Sequence, residues 1–221
     1  MKTASKRKIQ IIVDVLMTAV LLVLMSYSIA GELIHEILGI SLFILFTAHH
    51  IFSLNLTKAL FKGKITPTKI IKIICDILMA IFMLIMLLSA LSVSKYVFAF
   101  LGINFLSALA RNAHTFGAYW LSALISIHIG FHLDFMLAKP MKNKKKKTVV
   151  LLTVSALFLS GLAVFFKEGI YNYMFLINKF VFFDTRSGIL LFILKYISIM
   201  CMFSIFGLAL LKFTKIKKGE K

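Results

Sequence analysis

The chain has 221 residues, of which 61% are hydrophobic and 15% are charged, and its mean hydropathy is +0.98. A soluble domain is typically about half apolar with roughly a quarter of its residues charged, so this composition excludes a disordered chain and argues against an ordinary soluble domain. The formal net charge of +18 would suggest nucleic-acid binding in a soluble protein, but the recurring apolar segments indicate a polytopic membrane protein.

Six apolar segments are long enough to cross a bilayer, because a helical span needs about 20 residues. In chain order, we predict spans at 11–30, 33–53, 70–92, 113–137, 148–166 and 188–211. Both prolines, Pro67 and Pro140, fall in connections, so neither breaks a span. The predicted fold class is all-α, with six transmembrane helices. We predict a four-helix core over 1–138, followed over 139–221 by a basic loop and two further transmembrane helices.

The basic residues are distributed unevenly between the connections. Twenty lysines and arginines lie at the two termini and in the second and fourth connections, against five in the other connections, with Lys195 inside the last span. By the positive-inside rule, this bias predicts a multi-pass protein of the plasma membrane with both termini cytoplasmic. It also argues against a nucleic-acid partner, because the charge marks topology and contact with anionic lipid.

The first span could alternatively be part of a signal peptide. Basic residues precede it, and the small-residue pattern Ser28-Ile29-Ala30 resembles a cleavage site. Its apolar stretch is longer than a usual signal core, so we expect a retained helix.

All the histidines of the chain lie in two of the six spans. The second span contains His35, His49 and His50, and the fourth contains His114, His128 and His132. His35 and His49 are 14 residues apart, as are His114 and His128, and this spacing returns to within about 40° while advancing about 21 Å along a helix. Because the two spans run in the same direction, the spacing predicts that His35 faces His114 near the outer side and that His49 faces His128 near the inner side.

A pair of neutral imidazoles from two helices is the axial ligand set of a low-spin haem iron, and helical bundles hold such cofactors between inward side chains. The two predicted pairs therefore indicate two haems b stacked across the membrane as an electron path, with a single haem as the alternative. His50 and His132 are further candidates, as hydrogen-bond donors to groups around the ligands, as alternative ligands or as contacts for a redox partner.

Several residues near these histidines allow two interpretations. Arg111, one turn before His114, either pairs with a haem propionate or snorkels to the interface. Gly39 and Gly117 either leave room for a haem plane or serve helix packing. Considered by themselves, the two glycines are better explained by packing. For Lys195 we expect snorkelling, with Glu36 or a haem propionate as alternative partners.

Aspartates are predicted near the inner ends of several spans. We expect them to pair with the adjacent lysine-rich loops rather than to extend a metal site. They are Asp14, Asp76 and Asp134.

Two segments resemble the flavinylation-associated cytochromes, a family long catalogued as a membrane domain of unknown function. They are HEILGISLFILFTAHHIFSLN from His35 and ARNAHTFGAYWLSALISIHIGFHL around His114, and the connection LFKGKITP is similar as well. The resemblance covers roughly 10–138, and a more distant one is to the dihaem cytochrome b core of quinol oxidoreductases. It implies a b-type cytochrome that passes electrons across the membrane to or from a flavin-bearing or quinone partner. By position, the resemblance marks as ligands His35, His49, His114 and His128.

A second function class is a metal-ion or proton transporter that uses the same histidines. His128 and His132, four residues apart, could hold a divalent metal on one helix face, with His49, His50 and the aspartates extending the site. No span is visibly broken, as many transporter sites are. For a membrane enzyme, the HExxH pattern fails at Gly39, so any activity is expected to be redox, such as quinone or ferric reduction.

Overall fold

The computed structural model describes residues 2–60, 62–103, 107–137, 144–178 and 188–216. Within these ranges the regular structure is helical, without strands, and includes a short 3-10 turn at Ala99–Leu101. The α-helices are α1 (Lys2–Met25), α2 (Tyr27–Ala30), α3 (Glu32–Leu60), α4 (Pro67–Val93), α5 (Ser107–Leu137), α6 (Lys144–Lys167), α7 (Ile170–Met174) and α8 (Ile189–Ile216).

The predicted fold class is confirmed. In the described ranges, six helices are long and apolar enough to cross a membrane, and each coincides with a predicted span. Their apolar parts are Arg7–Met25, Glu32–Asn55, Pro67–Val93, Ser107–Leu133, Thr148–Lys167 and Ile189–Lys215.

The ends of the helices differ from the prediction at two places. The first span is not continuous to residue 30, because α1 ends at Met25 and the buried Ser26 hydroxyl donates to the Val23 carbonyl at 2.6 Å. After α2, Gly31 has a φ of 83°, a positive value that residues with a side chain rarely adopt. Pro67 was expected in a connection but is the first residue of α4. The N–H group of a residue at this position has no hydrogen-bond partner within the helix, so proline, which lacks an N–H, is tolerated there.

The chain divides into two compact units. Unit 1 comprises Met1–Lys64, Met83–His114 and Phe182–Ile193, and unit 2 comprises Ile65–Phe82, Thr115–Val181 and Leu194–Lys221. Helices α4, α5 and α8 therefore contribute residues to both units. The domain boundary near residue 138 stays a prediction.

Unit 1 is built around the pair α1 and α3, which α2 joins as an antiparallel hairpin. The Gln10 side chain donates to the Phe52 carbonyl at 3.0 Å, which fixes the register of the two helices. Near the other end, the Glu36 carboxylate accepts hydrogen bonds from the Ser94 hydroxyl and from the backbone N–H groups of Lys95 and Val97, at 2.7–2.8 Å. Glu36 thus ties α3 to the segment that follows α4.

Unit 2 is held together by small residues where helix backbones meet. A Cβ at Gly130 would overlap the Ser204 carbonyl oxygen, and one at Gly207 would overlap the Ile127 carbonyl oxygen. The Ser204 hydroxyl also donates to the Ser126 carbonyl at 2.8 Å. Close backbone approach of this kind is how membrane helices gain packing contacts without a hydrophobic driving force.

The short helix α7 is fixed to α5 by aromatic side chains of unit 2. The Trp120 indole N–H donates to the Met174 carbonyl at 2.8 Å, and the rings of Tyr119 and Tyr173 stack with their centres 5.2 Å apart. The segment after α6 is therefore folded against the unit rather than extended.

Candidate functional site

In unit 1, the imidazole rings of His35 on α3 and His114 on α5 lie next to each other. Their centres are 6.0 Å apart and their planes are inclined at 63°. The structure brings together the pair that the spacing predicts for the outer side.

This separation fits a metal ion held between the two rings. One nitrogen of each ring on a shared metal puts the ring centres roughly 6 Å apart, because each metal–nitrogen bond is about 2 Å and each nitrogen lies about 1 Å from its ring centre. A haem iron needs only these two protein ligands, since the porphyrin supplies the other four nitrogens. The donor set and its spacing therefore fit a haem.

The hydrogen bonds around His114 define which of its nitrogens can coordinate. Its Nδ1 lies 3.1 Å from the hydroxyl of the buried Ser89, and that hydroxyl lies 2.7 Å from the Ile85 carbonyl. Because a hydroxyl has one proton to donate, and the carbonyl can only accept it, the serine oxygen accepts the second bond from Nδ1–H. This assignment of the tautomer leaves the lone pair on Nε2, the nitrogen that would bind a metal.

His35 has a different environment. Its Nδ1 is buried without a hydrogen-bond partner of good geometry, although the Leu24 backbone interacts with the ring. A buried polar atom left unpaired costs free energy. Binding of a ligand or a proton acceptor by this ring would therefore be favourable.

Tyr27 of α2 packs against the His35 ring. Its own ring stands nearly perpendicular to the imidazole, at 88° and 5.1 Å between centres, and its hydroxyl donates to Glu32 at 2.8 Å. Partial burial, together with this bond to Glu32, raises the pKa of Tyr27 to about 12. The tyrosine thus limits rotation of the imidazole while its hydroxyl is held at the surface.

His49, also in unit 1, is held by an acid from another helix. Its Nδ1 lies 2.6 Å from the Asp14 carboxylate of α1, whereas His50 Nδ1 bonds to the Phe46 carbonyl of its own helix at 3.0 Å. The expectation that Asp14 pairs with a lysine-rich loop is therefore wrong, because the antiparallel register of α1 and α3 places it beside His49. A carboxylate on Nδ1 leaves Nε2 as the coordinating nitrogen.

His128 belongs to unit 2 and lies near a second acid. Its Nδ1 is 3.1 Å from Asp76, but neither atom has a hydrogen-bond partner, so the close approach lacks hydrogen-bond direction. His132, whose ring is exposed, has its Nε2 3.1 Å from the Nε2 of His128. Asp76, like Asp14, lies near a histidine rather than pairing with a lysine loop as expected. The pairing of His49 with His128 stays a prediction, and the side chain of Asp134 lies outside the described residues.

The remaining predicted residues are placed as follows. Apart from its chain neighbours and the backbone of its own helix, no atom of the described residues lies within 4 Å of where a Cβ on Gly39 would be, while Gly117 is buried in unit 2. Arg111 is exposed in unit 1 and close enough to Tyr27 to influence it electrostatically. Its two interpretations, propionate partner or snorkelling residue, stay predictions.

Lys195 was expected to snorkel, with Glu36 or a haem propionate as alternative partners. Its ammonium group forms an ion pair at 2.9 Å with Glu168 in unit 2, which directly follows the apolar part of α6. The partner is therefore one that was not expected, and its position at the end of a span is compatible with snorkelling. Glu36 is engaged instead by the segment after α4, whose backbone N–H groups would otherwise lack acceptors.

Among the described residues, no group of three or more His, Cys, Asp or Glu side chains is arranged to hold a metal ion. No protein-family model matches the chain, and neither the curated proteins nor the solved structures contain a match.

Sequence reasoning named Asp14 only as a possible extension of a metal site and missed Ser89 and Tyr27. Asp14 carried a signal, because it is the only acidic residue of α1 and intramembrane acids usually have a partner. Ser89 and Tyr27 carried none, since serine and tyrosine are common in and beside membrane helices.

Proposed function

We propose that this protein is a dihaem b-type membrane cytochrome that carries electrons across the bilayer between a cytoplasmic-side and an outer-side redox partner. The observation that carries the proposal is the 6.0 Å separation of the His35 and His114 rings, which come from different helices. Ionisable side chains inside membrane spans are costly and mark function. The Ser89 contact, which leaves His114 Nε2 available, supports the same assignment.

In this proposal, His35 and His114 bind the first haem, and Ser89 and Tyr27 hold the two rings. Bound haem supplies a reversible one-electron change at its iron. The apolar helices would exclude water from the haem, and this exclusion would affect the reduction potential of its iron. The second haem, with His49 and His128 as ligands, is part of the proposal on the strength of the 14-residue spacing alone.

The partners follow from the resemblance and the charge distribution. We propose a flavin-bearing or quinone redox partner and no nucleic-acid partner. The excess of lysine and arginine at the termini and in the second and fourth connections supports a plasma-membrane location with both termini cytoplasmic. A reductase activity toward quinone or ferric iron would be consistent with this function.

One observation favours the alternative of a metal-ion or proton transporter. The Nε2 atoms of His128 and His132 approach to 3.1 Å, which suits two imidazoles on one small cation or sharing one proton. Asp76 lies beside His128 and would add negative charge to that site.

A reduced-minus-oxidised spectrum with haem and metal quantitation on the purified protein distinguishes these functions. We expect a b-type spectrum with two haems per chain, and loss of one haem in His114→Ala. A protein free of haem that contains zinc or another divalent metal would overturn the proposal in favour of the transporter.

A further inference from the structure

The interruption between α1 and α2 in unit 1 is made by a serine. Helix α1 ends at Met25 rather than continuing to residue 30, and the next residue, Ser26, is fully buried. The Ser26 N–H and hydroxyl both donate to the Val23 carbonyl, at 3.0 and 2.6 Å. A serine that bonds back to its own helix in this way competes with the regular helical pattern. Ser26 therefore accounts for the end of α1.

The interruption changes which backbone groups the end of α1 offers. In a helix that continued, the Leu24 carbonyl would accept the N–H of residue 28, but the carbonyls in the last turn of a helix have no partner within it. The Leu24 N–H, by contrast, points back into α1. Leu24 thus presents a carbonyl, and its backbone interacts with the His35 ring.

The His35 ring would be stabilised by such an acceptor. Its Nδ1 is buried, and no group among the described residues meets it with full hydrogen-bond geometry. Because a carbonyl can only accept, a ring nitrogen that faces it carries the proton. The lone pair is then on Nε2, which is also the free nitrogen of His114, whose Nδ1–H donates to Ser89. Both rings of the pair therefore offer the same nitrogen.

Tyr27 adds a second contact at the same interruption. Its ring stands at 88° to the His35 imidazole, with the ring centres 5.1 Å apart. Leu24 precedes Ser26 by two residues and Tyr27 follows it directly, so a substitution at Ser26 that restored a continuous helix would disturb both contacts. Ser26 thus acts on the imidazole through its two neighbours.

We propose that Ser26 is a positioning residue: by ending α1 it turns the Leu24 carbonyl toward Nδ1 of His35 and so leaves Nε2 of that ring for a ligand shared with His114. The orientation of the ring is a property of the chain itself, whereas its use as an axial ligand rests on the proposed function. Loss of a group that orients a metal-binding histidine typically lowers metal affinity about 10- to 100-fold.

Nitrogen-15 NMR of the haem-free, 221-residue chain labelled at histidine tests the orientation directly, because protonated and unprotonated ring nitrogens have different chemical shifts. A difference spectrum with His35→Ala identifies the His35 signals. In wild type we expect the proton on Nδ1. Ser26→Ala favours a continuous helix and should lose this single tautomer. Ser26→Gly also lacks the hydroxyl but disfavours a helix, so it should behave like wild type.

Thr18→Ala is the matched control. The Thr18 hydroxyl also donates to a carbonyl of α1, that of Asp14 at 2.9 Å, yet the helix continues past it. This variant should leave the His35 signals unchanged. In haem-loaded protein, Ser26→Ala should bind haem about 10- to 100-fold more weakly than wild type, and Ser26→Gly should bind it as wild type does. Equal weakening by the two Ser26 variants would show that the hydroxyl serves packing alone and would overturn the inference.

The two measurements separate this inference from the proposed function. A chain that binds no haem but shows the expected His35 tautomer and its loss in Ser26→Ala would overturn the cytochrome and support the role of Ser26. A haem-binding chain whose His35 carries its proton on Nε2, or keeps its tautomer in Ser26→Ala, would overturn the inference and leave the cytochrome in place.

Discussion

The two units hold their helices together by different means. In unit 1, polar side chains reach from one helix to the next, as in Gln10 to Phe52 and Asp14 to His49. In unit 2, glycines such as Gly130 let backbones meet, and aromatic rings such as that of Trp120 fill the remaining space. The contrast teaches that substitutions at the glycine contacts of unit 2 should mainly change stability, whereas substitutions at the polar contacts of unit 1 should mainly change what its histidines bind.

The largest effect is expected from Gly130→Ala in unit 2. The added methyl group would overlap the Ser204 carbonyl oxygen, a backbone atom that cannot move without shifting its helix. We expect a loss of about 3 kcal/mol or more, the upper range for overpacking, measured as thermal unfolding in detergent. Gly39→Ala in unit 1 is the control, since open space surrounds that position. Equal destabilisation by both variants would contradict the contrast between the units.

The next effect is expected from His114→Ala in unit 1. It removes one of two adjacent imidazoles, so haem content should fall by about half. Pyridine haemochrome quantitation measures this fall. Unaltered haem content would contradict the assignment of His35 and His114 as a pair of haem ligands.

Gly39→Leu tests whether a haem plane passes close to α3. Gly39 lies one turn after His35 and has free space around it, so the larger side chain should fold normally but compete with the macrocycle. We expect haem occupancy to fall several-fold, on the order of the 10–100-fold affinity loss seen when the surroundings of a metal ligand are altered. Full occupancy in this variant would contradict a haem plane close to Gly39.

Ser89→Ala should have a smaller effect than loss of a ligand. It leaves Nδ1 of His114 without its acceptor at a buried position, which costs about 1–3 kcal/mol. Haem should still bind, but more weakly, as seen by its transfer to a competing apoprotein. Ser89→Thr keeps a hydroxyl and should behave like wild type. If Ser89→Ala retained haem as tightly as wild type, the tautomer assignment would fail.

The smallest effect concerns Tyr27 at high pH. Its pKa is raised from 10.0 to about 12 by burial and by Glu32, so the folded state favours the protonated hydroxyl. The resulting stabilisation is complete below pH 10 and is lost as the pH rises through about 12. Wild type should therefore lose slightly more stability over this interval than Tyr27→Phe, measured by unfolding at a series of pH values. Parallel curves for the two proteins would argue against the bond to Glu32.

The six membrane-spanning helices were predictable, because the length of an apolar segment is enough to identify such a helix. The proximity of His35 and His114 also followed from the sequence, since equal spacings on two helices of the same direction imply similar depth. The break at Ser26 was not predictable, because neither glycine nor proline marks it.

The partners of the charged residues were the least predictable part of the candidate site. The sequence offers more than one possible partner of opposite charge for Asp14 and for Lys195. Which partner each residue contacts depends on how the neighbouring helices are rotated and aligned. The structure selects His49 for Asp14 and Glu168 for Lys195. Helix rotation is a property of tertiary packing, and a single sequence does not report it.

Glu36 follows His35 directly in the chain, and its carboxylate gathers the backbone of Lys95 and Val97. The helical turn that carries an imidazole is thereby fastened to an exposed stretch of chain. A change in the position of that stretch would therefore also shift the first turns of α3, which carry His35.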